Sequence, residues 1–338
     1  MSPAVSSEKA RVDIVIPVFN ACDFTRQCLE SIFRNVRIPV RILILDNAST
    51  DDTRSVVEGL RPKCPSHVEL SLIANAENRG WVGAVNQGIE LSAAPYVVIS
   101  HNDILVFPNA LEEMIAIAES ESRIGLVNPN SNEFGALVST PDVPPSPEVA
   151  GQNYLQSRGR WVERCAVIGF CMLVKREVLQ KIGGFDPIYS PGYSEDDDYS
   201  ERARTEGYLC ARALGAYVHH FGSKTFQTNA KKALKARNEA ILHKRWGLSR
   251  REAVWVDRKT ANDPASLDAF CERLKARLRK KTGYIYIFVP RSKKDLFVER
   301  HDYFRVKIYP EIGPGKLSFY LWCLFRPRRK KVVVLSTV

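Results

Sequence analysis

Val12-Asp13-Ile14-Val15-Ile16-Pro17-Val18 and, one helix further on, Val40-Arg41-Ile42-Leu43-Ile44-Leu45 decide the fold of this 338-residue chain. Each is a short apolar run of strand length, the first closed by proline, as a buried strand is. Between them, Asp23 is placed to cap a helix in which Cys28, Leu29, Ile32 and Phe33 share one face. The second run closes on Asp46-Asn47-Ala48-Ser49-Thr50-Asp51-Asp52-Thr53, whose polar residues suit a turn and the start of a helix. Residues 68–73 and 96–99 read as further strands, with helical patterns at 81–91 and 108–118 around them. Alternation at this spacing predicts an α/β fold, a mostly parallel sheet with right-handed crossovers and flanking helices. Beyond it, 141–147 reads as a surface loop, 167–174 as a strand, and the residues up to Ile182 as a short helix.

In such sheets ligands bind outside the carboxyl ends of the strands. Phe19-Asn20, Asp46-Asn47 and His101-Asn102-Asp103 therefore fall on one rim. A second polar feature is Glu195-Asp196-Asp197-Asp198. Four adjacent carboxylates repel one another unless a cation, a helix N-terminus or a transferable proton relieves them. The good helix formers that follow account for a capping role; the alternative is a general base beside a metal-held leaving group.

Net charge is +11, which favours anionic partners, but the basic residues crowd late, in 273–281 and 326–331. No recognisable nucleic-acid-binding module accompanies them. No apolar run has the length of a membrane span, the N-terminus lacks a signal-peptide core, and the eight cysteines form no CxxC pair. A cytoplasmic protein with reduced cysteines is expected. The partition drawn from composition is a tail over 1–10, a main domain over 11–247 with halves 11–130 and 160–247, and a basic module over 248–338. That module is read as a small C-terminal α+β appendage. Its helix opens at Asp263-Pro264 and carries Leu267, Phe270, Cys271, Leu274 and Leu278 on one face; a strand follows at 284–289. Near its end, apolar residues 317–325 run into Arg326-Pro327-Arg328-Arg329-Lys330-Lys331, so peripheral membrane contact through 316–331 is a further expectation.

Taken together, Ile16-Pro17-Val18-Phe19-Asn20, the Asp46–Thr53 loop, Glu77-Asn78-Arg79-Gly80, His101-Asn102-Asp103, Gly184-Phe185-Asp186, the acid cluster and His220-Phe221-Gly222-Ser223-Lys224-Thr225 resemble the family 2 glycosyltransferases of the GT-A fold. Within that family the chain is most similar to bacterial surface-polysaccharide and rhamnosyl transferases. The resemblance implies a Rossmann-like GT-A domain that moves a sugar from a nucleotide-diphosphate donor, UDP- or dTDP-linked by preference, to a glycan or lipid-linked acceptor. It implies Asp196 as general base, Glu195 as the group orienting the acceptor, and a divalent cation, Mn2+ or Mg2+, held by Asp103 and His220, with His219 the alternative. Asp46 would accept from the base, Pro17, Phe19 and Asn20 would shape the nucleotide pocket, and Asn78, Arg79, Gly80 and Asn102 would lie by the sugar and phosphates.

One position departs from the pattern. His101 stands where the family has Asp or Asn, which leaves the metal's identity and the strictness of metal dependence open; contact with ribose or phosphate is its other role. The rival readings are a noncatalytic nucleotide-sugar-binding protein, a nucleic-acid binder, and a transferase acting on a modified nucleobase.

Overall fold

The computed structural model describes residues 10–132, 146–222, 229–248, 251–280, 284–290, 292, 306–310 and 332–336. The expectations for the N-terminal tail, nearly all of the 141–147 loop, 223–225 and the 316–331 segment lie outside them. The chain divides into two compact units. One contains the described residues up to Lys235 other than Glu163–Cys165; the other contains Glu163–Cys165 and the described residues from Ala236 onward. Composition placed the boundary at 247/248, whereas this division falls within a helix, α8 (Asn229–Trp246).

The strands before α8 are β1 (Val12–Val18), β2 (Val40–Asp46), β3 (Val68–Ala74), β4 (Tyr96–Ser100), β5 (Ile104–Val106), β6 (Ile124–Asn130), β7 (Trp161–Arg164), β8 (Cys171–Lys175) and β9 (Leu209–His220), all within the first unit except the second half of β7. They form one sheet in the order β3-β2-β1-β4-β8-β6-β9-β5, with β7 off this path. The β3-β2-β1-β4 part is parallel, as the alternation predicts. Pairing turns antiparallel at β4–β8, β6–β8 and β5–β9, so the sheet as a whole is mixed. Around it lie α1 (Cys22–Asn35), α2 (Thr53–Leu60), α3 (Gly80–Leu91), α4 (Ala110–Ser120), α5 (Pro147–Leu155), α6 (Arg176–Ile182) and α7 (Glu195–Thr205). Every residue of β1 is buried, because the apolar run is covered on both faces. Its Pro17 lies beyond Val15, the last β1 residue paired with β4, where a missing N–H costs little.

Two local expectations are corrected. The residue before α1 is Ala21, not Asp23. Asn20 and Ala21 both adopt positive φ, and the Asp51 carboxylate accepts from Cys22 N at 3.1 Å, so the cap comes from another loop. Asp23 sits in the first turn, still favourable to the helix dipole. The strand expected over 167–174 starts only at Cys171. Side chains claim the earlier amides: Val167 N donates to Ser200 Oγ, Ile168 N to Asn128 Oδ1 and Gly169 N to Asp196 Oδ2.

The second unit holds β10 (Arg251–Trp255), α9 (Arg258–Asn262), α10 (Pro264–Lys280), β11 (Tyr284–Val289), β12 (Val306–Pro310) and β13 (Val332–Ser336). Its four strands all pair in parallel, in the order β12-β11-β10-β13, so this part is α/β where α+β was expected. Separate aromatic pieces do not reveal which neighbours they pair with. Helix α10 starts at Pro264, and its Leu267, Phe270, Cys271, Leu274 and Leu278 are buried with Ile285, Ile287 and Val289 of β11. The seven cysteines among the described residues form no disulfide with one another, and five of them are buried. No helix among the described residues is long and apolar enough to cross a membrane.

Candidate active site

Strands β1, β2 and β4 run in the same direction, so Phe19-Asn20, Asp46-Asn47 and His101-Asn102-Asp103 do emerge on one rim. The loops there are tied together by their own polar groups. Asn20 Oδ1 accepts from Thr50 N at 2.8 Å, Asn20 N donates to Ser49 Oγ, Asn47 Nδ2 reaches the Gly80 carbonyl, and Asn102 Nδ2 donates to Thr25 Oγ1. Asp46 is fully buried. Its Oδ1 accepts from Ser49 N at 2.9 Å and its Oδ2 is ion-paired with Arg54 Nε. Burial opposes ionisation of Asp46, but Ser49 and Arg54 outweigh it and lower its pKa. Phe19, by contrast, is half exposed, an uncovered aromatic at the end of β1.

The Asn78-Arg79-Gly80 turn leads into α3. Asn78 Oδ1 accepts from Gly80 N, and Arg79 is the residue before the helix. Gly80 has φ +70° and a Cβ there would lie 2.7 Å from Pro191 Cβ. Glycine thus lets the start of α3 meet the Pro191 segment, whose carbonyl accepts from Trp81 N at 2.9 Å.

Strand β9 carries the late histidines across the sheet to β5. In that register Ile104 faces His220 and Leu105 faces His219, and successive strand residues point to opposite faces. His220 Nε2 therefore arrives 3.3 Å from Asp103 Oδ1, while His219 Nδ1 lies 3.3 Å from the Tyr217 hydroxyl. His101 Nδ1 completes a cluster, 3.2 Å from His220 Nε2 and 3.6 Å from Asp103 Oδ1. Burial opposes ionisation of Asp103, but hydrogen bonds and charge from His101 and His220 outweigh it and hold the carboxyl well below the usual carboxylate range. A carboxylate oxygen and two imidazole nitrogens, within 4.8 Å of one another, form a chemically suitable donor set for a divalent cation.

The four acids meet different fates on α7, whose first turn they form. Asp198 is fully buried, ion-paired with Arg202 at 3.0 Å and hydrogen-bonded by the Tyr189 hydroxyl, a structural arrangement. Asp197 is half-buried. Glu195 is buried, and the Trp81 indole donates to it. Burial first, and then the adjacent Asp196 charge, push Glu195 up to about 8. Asp196 is half-buried, accepts from Gly169 N and Asp197 N, and is raised by desolvation that these hydrogen bonds only partly offset.

The segment before β8 joins the acids to the imidazole cluster. Gly169 N binds Asp196, the Phe170 carbonyl accepts from His101 N at 2.9 Å, and the Phe170 ring lies 5.4 Å from that of His220. Trp81 packs edge-on against His101, with centroids 4.6 Å apart, so it touches both halves of the centre. None of the motifs read from the sequence singles out Trp81, Gly169 or Phe170. The one available signal was the Val167-Ile168-Gly169-Phe170 run, where a glycine interrupts a strand pattern.

An α/β domain with a carboxylate–imidazole centre and an acidic helix N-terminus at its strand ends defines a class, and comparison with known proteins gives the family. Residues 13–183 match the model of glycosyl transferase family 2, and the chain belongs to that family. An uncharacterized glycosyltransferase of Nostoc sp. is 21% identical over 182 residues, 53% of this chain and 55% of that protein. The N-acetylglucosaminyl-diphospho-decaprenol L-rhamnosyltransferase of Mycobacterium tuberculosis is 26% identical over 213 residues, 54% of this chain and 66% of that protein. The chain thus spans little more than half the length of the Nostoc relative. Among solved structures, a mannosyltransferase of Pyrobaculum calidifontis in complex with GDP-Man and Mn2+ superimposes with TM-score 0.53 at 19% identity, covering 70% of this chain and 64% of that one. The likeness establishes the GT-A fold.

Proposed function

We propose that this glycosyltransferase is inverting and transfers a sugar from a UDP- or dTDP-sugar to a hydroxyl of a glycan or lipid-linked acceptor. The observation that carries the reading is the linkage of Asp196 to the Asp103–His220 pair through Gly169 and Phe170. Asp103 and His220 would hold the divalent cation, Mn2+ or Mg2+, whose charge stabilises the departing diphosphate. Asp196 accepts the proton of the acceptor hydroxyl as that oxygen bonds to C1 from the face opposite the diphosphate. The C1–O bond breaks, the diphosphate keeps the electron pair, and the anomeric configuration inverts. Partial exposure lets Asp196 meet an acceptor, and desolvation raises its proton affinity. Buried Glu195 orients the acceptor through its position beside Asp196.

Phe19 packs on the nucleotide, Pro17 and Asn20 shape its pocket, and Asp46 accepts from the base once the half-exposed Arg54 swings away. Asn78, Arg79, Gly80 and Asn102 border the sugar and phosphates. The donor and ion of the Pyrobaculum enzyme support a nucleotide-sugar and metal reading, and the diphospho-decaprenol acceptor of the mycobacterial relative supports a lipid-linked acceptor. We place the work in the cytoplasm, with membrane contact through 316–331.

A thermal-shift panel of UDP-, dTDP- and GDP-sugars, each with and without Mn2+, tests this reading. A ligand at a hundred times its Kd stabilises by about 2.7 kcal/mol. A metal-dependent rise in Tm with one nucleotide class, lost in Asp103→Ala, is expected. No shift with any donor would remove the nucleotide-sugar assignment.

A further inference from the structure

His101 is where the chain leaves its family's pattern, and the structure puts it against the two residues assigned to the cation. The three donor atoms form a triangle with sides of 3.2, 3.3 and 3.6 Å. Ligand atoms about 2.0–2.2 Å from one ion lie roughly 2.8–3.1 Å apart at adjacent octahedral positions and roughly 3.3–3.6 Å apart at tetrahedral ones. The 3.3 and 3.6 Å sides match the tetrahedral spacing, and the 3.2 Å side lies between the two ranges.

Hydrogen bonding among the three atoms does not account for the triangle as well. Each side would need one hydrogen between its two atoms, and His101 Nδ1 and His220 Nε2 carry at most one each, two for three sides. Placing both hydrogens there sets them against each other across the nitrogen–nitrogen side. A cation at the centre lets all three atoms present lone pairs at once. The rings are also held for the purpose. His101 is held by the Trp81 ring and by the hydrogen bond its backbone N–H donates to the Phe170 carbonyl, and His220 by paired hydrogen bonds between its backbone and the Asn132 side chain. The His101 side chain remains 35% exposed, leaving an open side for a ligand's oxygens.

We propose that His101, through Nδ1, is a third protein ligand, so that the centre is two imidazoles and one carboxylate and selects a transition-metal ion over Mg2+. The inference rests on the assignment of Asp103 and His220 as ligands. Imidazole nitrogen favours later first-row ions such as Co2+ and Zn2+, whereas Mg2+ prefers an octahedron of oxygens and dehydrates reluctantly.

The test is calorimetric titration of the chelator-stripped full chain with Co2+ and with Mg2+. Wild type is expected to bind Co2+ at least about 100-fold more tightly than Mg2+. His101→Asn, which restores a residue of the family pattern, should lose about 10- to 100-fold in Co2+ affinity while Mg2+ affinity stays within about threefold. Unchanged Co2+ affinity in His101→Asn overturns the inference. In that event, loss of Co2+ binding in Asp103→Asn would leave the two-ligand assignment standing, whereas retained binding would remove both. Proton NMR of the Co2+-loaded wild type needs no variant. Two sets of contact-shifted imidazole ring protons are expected, and a single set refutes a second histidine ligand.

Discussion

Two carboxylates are buried at opposite ends of the same parallel strands, and they are treated oppositely. Asp13, near the amino end of β1, is fully buried and fully served. Arg41 Nε donates to Oδ1 at 2.8 Å, the amides of Ala93 and Ala94 donate to Oδ2 at 2.5 and 2.8 Å, and Arg176 lies 3.9 Å away. Burial raises its proton affinity, but these partners more than compensate and its pKa is lowered. Glu195, beyond the carboxyl ends, is buried with Oε2 lacking a hydrogen-bond partner and with Asp196 beside it. One end of the sheet spends cations and amides to hold a charge still. The other leaves carboxylates under-compensated, which is how proton affinity is tuned toward neutrality at a site of proton transfer.

The largest expected effect breaks the comparison at the second end. Asp196→Asn should fold and bind donor yet lose about two to four orders of magnitude in kcat, the range for a missing general base. Single-turnover rates near wild type would take that role from Asp196. The next effect is a pH dependence. Because the folded pKa of Glu195 is raised to about 8, its native state keeps a proton that the unfolded chain releases. The stabilisation is fully present below the unfolded value near 4.5 and is lost as pH rises through about 8. Glu195→Gln should flatten this decline in urea unfolding between pH 5 and 9; equal slopes in both proteins would contradict it.

At the other end, Asp13→Ala strands Arg41 and two amides. It should cost about 3 kcal/mol of stability, less than for a fully enclosed pair because Arg41 keeps access to water. The kcat per folded molecule should not change, and a drop in kcat without a drop in Tm would erase the distinction between the two ends. The smallest effect is at Gly80→Ala, where positive φ and the Pro191 contact predict a loss of about 1–2 kcal/mol. A KM for donor that rises more than stability falls would show that this turn also faces the ligand.

Much of the first half was legible because its signals are local. β1 to β4 are apolar runs bounded by proline or Asx-rich loops, and their edges were found to within a residue or so. The 264–280 helix announced itself by a proline start and an apolar stripe. β6 and β9 did not. β6 buries Asn128 and Asn130, and β9 buries Arg212 among alanines, so neither reads as an apolar run. The two asparagines enter the core because distant carbonyls receive them. Asn128 Nδ2 donates to Ile168 and Cys171, and Asn130 Nδ2 to Leu214. Such partners exist only after folding.

By itself, then, the sequence determined the parallel strand–helix alternation, the rim on which the polar clusters fall, and the kinds of side chain available there. Local patterning suffices for this, since burial of an apolar run needs only its neighbours in the chain. Only the tertiary structure decided which histidine meets Asp103, which of four acids is locked in a salt bridge, and that His101 joins His220 across 119 positions. Strand register sets those outcomes, because a shift of one residue would present His219 instead, and register is fixed by the packing of the whole sheet.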